Sequence, residues 1–227
     1  MSPLRVVSLL PSATEMVAAL GCESWLVGRS HECDCPSTIK PLPVCTSTSL
    51  RTDASSAEID RQVKNHLAQA LSLYDVDGPL LQQLRPDVII TQTQCAVCAV
   101  SLDDLQRTVC QTLGSSVQIV ALEPHRLADI WHNLRQIATA LRVALAAETL
   151  IPSLQQRLHE IHRQVAEVNY RPTVVCIEWL DPLMSAGNWV PELVELPGGT
   201  NLLSVAGQHS PWMTLPDVKA ADPDLLV

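Results

Sequence analysis

Two stretches of this chain repeat one pattern, and that repeat limits what it can fold into. RVVSLL (Arg5 to Leu10) is an apolar run without alternation; it is followed by PSATEMVAALG and later by RPDVIITQ (Arg85 to Gln92). TVVCI (Thr173 to Ile177) is followed by WVPELVELPGG and then DPDLLV (Asp222 to Val227). Apolar runs without alternation suit parallel strands buried on both faces, and helical stretches between them imply crossover connections. The expected architecture is therefore α/β, with two similar lobes, and ligands in such sheets bind beyond the carboxyl ends of the strands. Function is expected between the lobes. DPDLLV would be a buried parallel strand left at a sheet edge, so the second lobe reads as truncated at its carboxyl end, to be continued by further chain or covered by a partner.

Between these landmarks the pattern predicts a helix after Pro11, with Ser12 as N-cap and Glu15 completing a capping box. Gly21 would end it. A second strand is expected over WLVG (Trp25 to Gly28), and one helix over residues 55–84, with Ile59, Val63, Leu67, Leu71 and Tyr74 on its core face. Strands follow at DVII (Asp87 to Ile90) and VQIVAL (Val117 to Leu122), with a helix through Leu105 and Leu113 between them. Leu127 to Asn169 reads as two helices with Pro152 at the break, kink or first turn. The domain organisation expected is an amino-terminal lobe over 1–124, a helical connector over 125–170 and a carboxyl-terminal lobe over 171–227.

Composition narrows the function classes. The chain of 227 residues is 47% hydrophobic and 17% charged, which supports packed cores rather than disorder. A net charge of -9 without any Lys/Arg block leaves no electrostatic footprint for nucleic acid or an anionic membrane. Apolar stretches are interrupted well before the roughly 20 residues a membrane span needs. Taken as the native start, MSPLRVVSLLPS lacks the long apolar core and cleavage site of a secretory signal, so the expected compartment is the cytoplasm, or the periplasm if the true start lies upstream. In a reducing compartment the eight cysteines (Cys22, Cys33, Cys35, Cys45, Cys95, Cys98, Cys110 and Cys176) are free, buried or metal-bound.

Unusual residues gather in the loops at strand ends. RSHECDCP carries His31, Cys33 and Cys35; the loop after DVII carries Cys95 and Cys98 as a CxxC; Glu178, Trp179 and Asp181 follow TVVCI. Imidazole and thiolate are the donors Zn²⁺ prefers, which makes His31, Cys33, Cys95 and Cys98 a candidate site for Zn or Fe. The alternative is that these cysteines are small, partly buried residues in tight loops. A redox role would need Cys95 at a helix N-terminus, without the usual thioredoxin-like surround. No GxSxG, GxGxxG or GxxxxGK[ST] is present, so hydrolase, dinucleotide and P-loop readings lose their main support. Three of the five tryptophans, Trp179, Trp189 and Trp212, fall in second-lobe loops, where a flat apolar surface with one donor suits a macrocycle or ring. Trp25 and Trp131 read as core, and His66, His132, His159 and His162 as solvated helix positions.

Across essentially its whole length the chain resembles the iron-chelate and cobalamin substrate-binding proteins of ABC importers. The resemblance rests on RVVSLLPSATEMVAALG, VGRSHECDCP, RPDVIITQ and TVVCIEWLDPLMSAGNWVPELVELPGGTNLL. It is most similar to a leaderless cobalamin-binding-like group, with segments at His31 to Pro36, Thr91 to Val100 and Glu178 to Leu193. Cys35 stands where that group has Tyr, and Asn188 where it has His. The resemblance implies two Rossmann-like lobes with parallel sheets joined by one long helix, and a corrinoid (cobalamin) or other metal chelate held in the cleft. It implies a non-catalytic binding protein whose partner is an ABC importer permease. The cleft would be lined by Ser12, Ala13, Thr14, His31, Glu32, Cys33, Asp34, Gln92, Gln94, Cys95, Cys98, Trp179, Asn188, Trp189 and Trp212. The rival expectation is a cytosolic metal- or cluster-containing enzyme or sensor using His31, Cys95 and Cys98.

Overall fold

The computed structural model of the protein describes residues 3–69, 72–93, 102–113 and 117–227. In chain order they form β1 (Val6–Ser8), α1 (Pro11–Ala19), β2 (Leu26–Arg29), β3 (Thr46–Thr48), α2 (Ser56–Ala68), β4 (Tyr74–Val76), α3 (Gly78–Leu84), β5 (Val88–Gln92), α4 (Leu102–Thr112), β6 (Gln118–Leu122), α5 (Leu127–Ala140) and α6 (Ala144–Val165). There follow β7 (Thr173–Val175), β8 (Ile177–Leu180), β9 (Leu183–Ser185), α7 (Val190–Glu195), β10 (Thr200–Asn201), α8 (Leu215–Ala221) and β11 (Leu225–Leu226). The fold is α/β with parallel sheets, as the unalternating apolar runs require. Two compact units divide the chain: Met1–Leu50, Asn65–Glu123 and His132–Leu150 form the first, and Arg51–Lys64, Pro124–Trp131 and Ile151–Val227 the second. Among the described residues no helix is long and apolar enough to cross a membrane.

In the first unit the sheet order is β2-β1-β5-β6, every pair parallel. Val6, Val7, Ile89 and Ile90 are fully buried, which stabilises the fold by about 1.5–3 kcal/mol for each side chain removed from water. Val7 and Ile89 pack with Leu9, Cys45, Leu81, Leu105 and Val109, so α3 and α4 cover that side of the sheet. Gly28 of β2 is needed for close packing: a Cβ there would lie 2.6 Å from Cys45 Sγ and 2.8 Å from Leu84 Cδ1.

In the second unit β7 lies between β10 and β11, again parallel to both. Successive side chains of a strand point to opposite faces. Val174 accordingly joins Cys176, Ala186, Val190 and Val194, while Val175 joins Met213, Val218 and Ile177. Both faces are apolar because α7 contributes to one cluster and α8 to the other.

The repeat read from the sequence has a structural counterpart in each unit. Arg85 ends α3 in the left-handed conformation (φ 43°), Pro86 follows, and Asp87 Oδ2 accepts the backbone N–H of Arg5 at 2.8 Å. Asp222 ends α8 in the same conformation (φ 43°), Pro223 follows, and Asp224 Oδ2 accepts the backbone N–H of Thr173 at 2.8 Å. The preceding helices match too. Asp77 caps α3 and Thr214 caps α8, each through its side chain, and both helices have seven residues with Pro in the first turn.

Several local expectations are corrected. Ser12 is not an N-cap: α1 starts at Pro11 after Leu10 and has no side-chain cap, because proline fits the first helical position, where no N–H partner is required. Gly21 does follow the end of α1, with φ +75°. Residues 55–84 are not one helix. Tyr74–Val76 pair antiparallel with Thr46–Thr48, and the Asp77 cap starts a new helix at Gly78. None of the residues of α2 is fully buried: on the expected core face Ile59 and Val63 are half-buried and Leu67 is 49% exposed, while Leu71 lies outside the described residues. Pro152 lies inside α6, and the break between α5 and α6 falls instead at Arg142, with φ 60°.

Hydrogen bonds from the Thr173 backbone, the Thr173 hydroxyl and the Tyr170 side chain hold the Asp224 carboxyl below the usual carboxylate range. A depressed native value means that its contribution is complete above the unfolded value of about 4 and is lost as pH falls through the native one. We expect Asp224→Asn to lower the urea midpoint at neutral pH and to flatten its decline below about pH 4. Parallel pH profiles for the variant and the parent would contradict this role.

Candidate functional site

In the first unit the chain leaves β2 through a loop shaped by Arg29. Its Nη1 donates to the carbonyls of Ser30 (2.9 Å) and Cys33 (3.0 Å), and its Nη2 to that of Lys40 (3.0 Å). Guanidinium geometry suits several acceptors at fixed angles, which an ammonium does not match. Inside the loop the buried Ser30 hydroxyl lies 3.2 Å from Cys33 Sγ and accepts the Glu32 N–H. Thr14 Oγ1 lies 3.1 Å from the same sulfur and 3.2 Å from the Leu10 carbonyl. Cys33 thus packs among hydroxyls at the start of α1.

His31 is half-buried, and its backbone N–H donates to Thr46 Oγ1 at 3.1 Å. The same oxygen lies 2.8 Å from His31 Nδ1. Tyr74 flanks the imidazole at 5.7 Å between ring centroids, tilted by 38°. Nε2 is buried and, among the described residues, has no partner. An unanswered buried donor or acceptor costs about 1–3 kcal/mol, and among the described residues His31 Nε2 is one of three such side-chain atoms, with Arg29 Nε and Asn133 Nδ2.

In the second unit β8 and β9 form a hairpin that carries Trp179 and Met184 as paired residues. Trp179 Nε1 donates to the Asp181 carbonyl at 3.0 Å. Asn188 adopts φ 53°, a conformation Asn tolerates better than most residues. Its N–H donates to the Gln208 carbonyl (2.7 Å), and its carbonyl accepts from Gly207 (2.8 Å). Gly187 N–H donates to the buried Ser210 hydroxyl at 3.0 Å, which in turn donates to the Glu178 carboxylate. These bonds lock the segment ahead of Trp189, the residue that caps α7. Trp212 is 55% exposed, and Lys64 Nζ lies 5.3 Å from its ring centroid, within cation–π range.

The sequence-derived residues are placed as follows. Ser12 is exposed in the first turn of α1, whereas Ala13 and Thr14 are fully buried and hold the turn. Glu32, Asp34 and Cys35 are exposed in the loop after β2, and Gln92 ends β5 half-buried. Gln94, Cys95 and Cys98 lie outside the described residues. Trp179, Asn188, Trp189 and Trp212 all belong to the second unit. Among the described residues, no three His, Cys, Asp or Glu side chains are grouped as a metal ion would require. Sequence reasoning missed Arg29, Thr46 and Ser210, which act through the backbone or as single hydroxyls. Tyr74 was assigned to a helix face because Leu67, Leu71 and Tyr74 mimic helical spacing. A shallow depression lined by Arg5, Gln82, Gln83, Arg85, Thr112 and Leu113 lies by the amino ends of β1 and β5, the end opposite these loops.

The periplasmic binding protein family matches residues 6–227, and the chain belongs to that family. Among its relatives is a vitamin B12-binding protein of Pectobacterium atrosepticum, 26% identical over 99% of this chain and 71% of the relative. Among solved structures, the periplasmic vitamin B12 binding protein BtuF of Vibrio cholerae is similar with a TM-score of 0.67 at 20% identity, covering 99% of this chain and 75% of that one. The periplasmic heme-binding protein RhuT from Roseiflexus sp. RS-1 is similar with a TM-score of 0.70 at 19% identity, covering 99% and 76%. At these identities the structural likeness is one of fold.

Two outcomes follow from the site geometry. A Cβ at Gly187 would lie 2.6 Å from the Gln208 carbonyl oxygen and 2.7 Å from Ser210 N, both backbone atoms. Gly187→Ala is expected to destabilise the protein by about 1–3 kcal/mol, read from the shift of the denaturant midpoint. A midpoint equal to the parent's would show that the loops yield freely. Burial pushes the Cys45 thiol up to about 11, and raises those of Cys22 and Cys176 as well. Cys35 and Cys110 are exposed. Brief alkylation of the native protein followed by peptide mapping should therefore label Cys35 and Cys110 well ahead of Cys22, Cys45 and Cys176.

Proposed function

We propose that this protein is a non-catalytic binding protein for a corrinoid, or for a related metal chelate such as heme. The observation that carries this reading is the match to a vitamin B12-binding protein along 99% of the chain. The tryptophans of the second unit support it. A macrocycle offers a wide apolar face, and Trp189 and Trp212 offer large flat surfaces in loops whose backbone is fixed by hydrogen bonds. The proposed contact residues are Ser12, His31, Glu32, Asp34, Gln92 and Gln94 from the first unit, and Trp179, Asn188, Trp189 and Trp212 from the second. The buried Ala13 and Thr14 shape the turn that presents Ser12. The proposed partner is an ABC importer permease where the protein captures ligand outside the inner membrane. If fractionation finds the protein in the cytoplasm, the reading becomes that of a binder working without one.

Titration of the purified protein with cyanocobalamin, and separately with hemin, followed by tryptophan fluorescence, tests the proposal. Saturable quenching by one of them is expected, and no response to either would overturn it. Trp189→Ala should weaken the binding by about 1–3 kcal/mol through lost aromatic contact. Unchanged affinity in both Trp189→Ala and Trp212→Ala would move the site away from these loops.

A further inference from the structure

We propose that Thr46 fixes the imidazole of His31 as the tautomer protonated on Nε2. His31 then meets a bound ligand as a hydrogen-bond donor to an oxygen acceptor, and not as a nitrogen ligand to the ligand's metal. The ligand half of this inference rests on the corrinoid or metal-chelate reading; the tautomer half stands on the free protein alone.

The argument is one of counting protons. Thr46 is buried at 6% exposure, and among the described residues its Oγ1 meets only the His31 backbone N–H (3.1 Å) and His31 Nδ1 (2.8 Å). The hydroxyl already accepts the backbone N–H and has one proton to give. If Nδ1 carried the ring proton, it too would donate to Oγ1. The Thr46 proton would then have no acceptor and the buried Nε2 lone pair no donor, leaving two unmatched groups. A doubly protonated ring would strand the same hydroxyl proton. If Nδ1 instead accepts from Thr46, the hydroxyl is matched on both sides and a single group remains, the Nε2–H. Tautomers are set by the bond that the other ring nitrogen makes, and this arrangement leaves the fewest buried groups unanswered.

The surroundings hold the ring for that purpose. Thr46 is opposite Val76 in the β3–β4 pair, and Tyr74 is two residues from Val76, so Thr46 and Tyr74 are diagonal neighbours on one face. One supplies the bond to Nδ1 and the other flanks the ring. Arg29 fixes the loop trace through three backbone carbonyls. Two other buried nitrogens lack partners among the described residues, Arg29 Nε and Asn133 Nδ2. Arg29 Nε belongs to a guanidinium bonded through its other nitrogens, and Asn133 sits within α5. His31 alone of the three lies in a loop at the carboxyl end of a parallel strand, where ligands bind in such sheets. The matching ligand group is a carbonyl or carboxylate oxygen, such as the amide and acid side chains that rim a corrin or porphyrin.

Long-range proton–nitrogen correlation spectra of the ¹⁵N-labelled free protein at mildly alkaline pH read the tautomer, with His31 assigned by its loss in His31→Gln. A signal pattern of Nε2–H is expected, relaxing toward a mixture in Thr46→Val; a pattern of Nδ1–H overturns the inference. In cyanocobalamin titrations His31→Gln, which keeps an N–H donor, should bind within about threefold of the parent, and His31→Leu should bind about tenfold or more weakly. Equal losses in the two variants would overturn the donor role. So would a change in the visible spectrum of aquocobalamin on binding that vanishes in His31→Leu, since that reports nitrogen on cobalt. If neither cyanocobalamin nor hemin binds, the corrinoid and chelate reading fails, and the spectra of the free protein still decide the tautomer.

Discussion

A parallel strand flanked on both sides must have its first backbone donor answered, and in this protein the same device answers it twice. The N–H of Arg5, before β1, and that of Thr173, at the start of β7, each meet an aspartate side chain placed by a left-handed helix end and a proline. Proline cannot continue the helix, and the left-handed residue before it reverses the chain. The carboxylate then ties the arriving strand, β5 or β11, to the start of its neighbour. Register follows from that tie: Val88 is set beside Val6, and Leu225 beside Val174. With register set at the amino ends of the strands, their carboxyl ends emerge in a fixed relation within each unit, and the His31 loop after β2 and the end of β5 at Gln92 inherit it.

The loops after β2 and β9 are built to present side chains from backbone fixed by hydrogen bonds. After β2 the organising group is a guanidinium surrounded by carbonyls; after β9 it is a serine hydroxyl between a glycine N–H and a glutamate. Among the described residues three buried side-chain polar atoms are unanswered, and of these the Nε2 of His31 sits in a loop at a strand end, which gives it meaning that an exposed histidine would lack. A binding protein gains affinity when its contact groups are already ordered, because less freedom is lost on association. The backbone bonds around Asn188 and Gly187 serve that end for Trp189 in the same way.

Much of this frame was legible in the sequence, for a physical reason. β1, β5 and β7 are buried on both faces and β6 largely so on one, so their residues form apolar runs that no surface helix would show. The Pro-Asp pairs stood out because they recur at corresponding places. What escaped was decided by partners distant in sequence. Tyr74 is a strand residue only because Thr46 and Thr48 are there to pair with it, and a helical spacing of leucines masked this. Ser12 satisfied every local rule for a cap, yet Pro11 took the first helical position. In the candidate site, His31 and the tryptophans were conspicuous by residue type. Arg29, Thr46 and Ser210 were not, since single hydroxyls and one arginine carry no pattern.

The clamp of Arg29 has an evolutionary consequence. Every acceptor it holds, at Ser30, Cys33 and Lys40, is a main-chain carbonyl, which any residue supplies equally. The trace of the segment is thereby uncoupled from the identity of its exposed residues Glu32, Asp34 and Cys35. Selection can exchange those side chains one at a time without refolding the loop. A scaffold of this kind can drift from one cargo to another through small chemical edits, its architecture standing still while its preferences change.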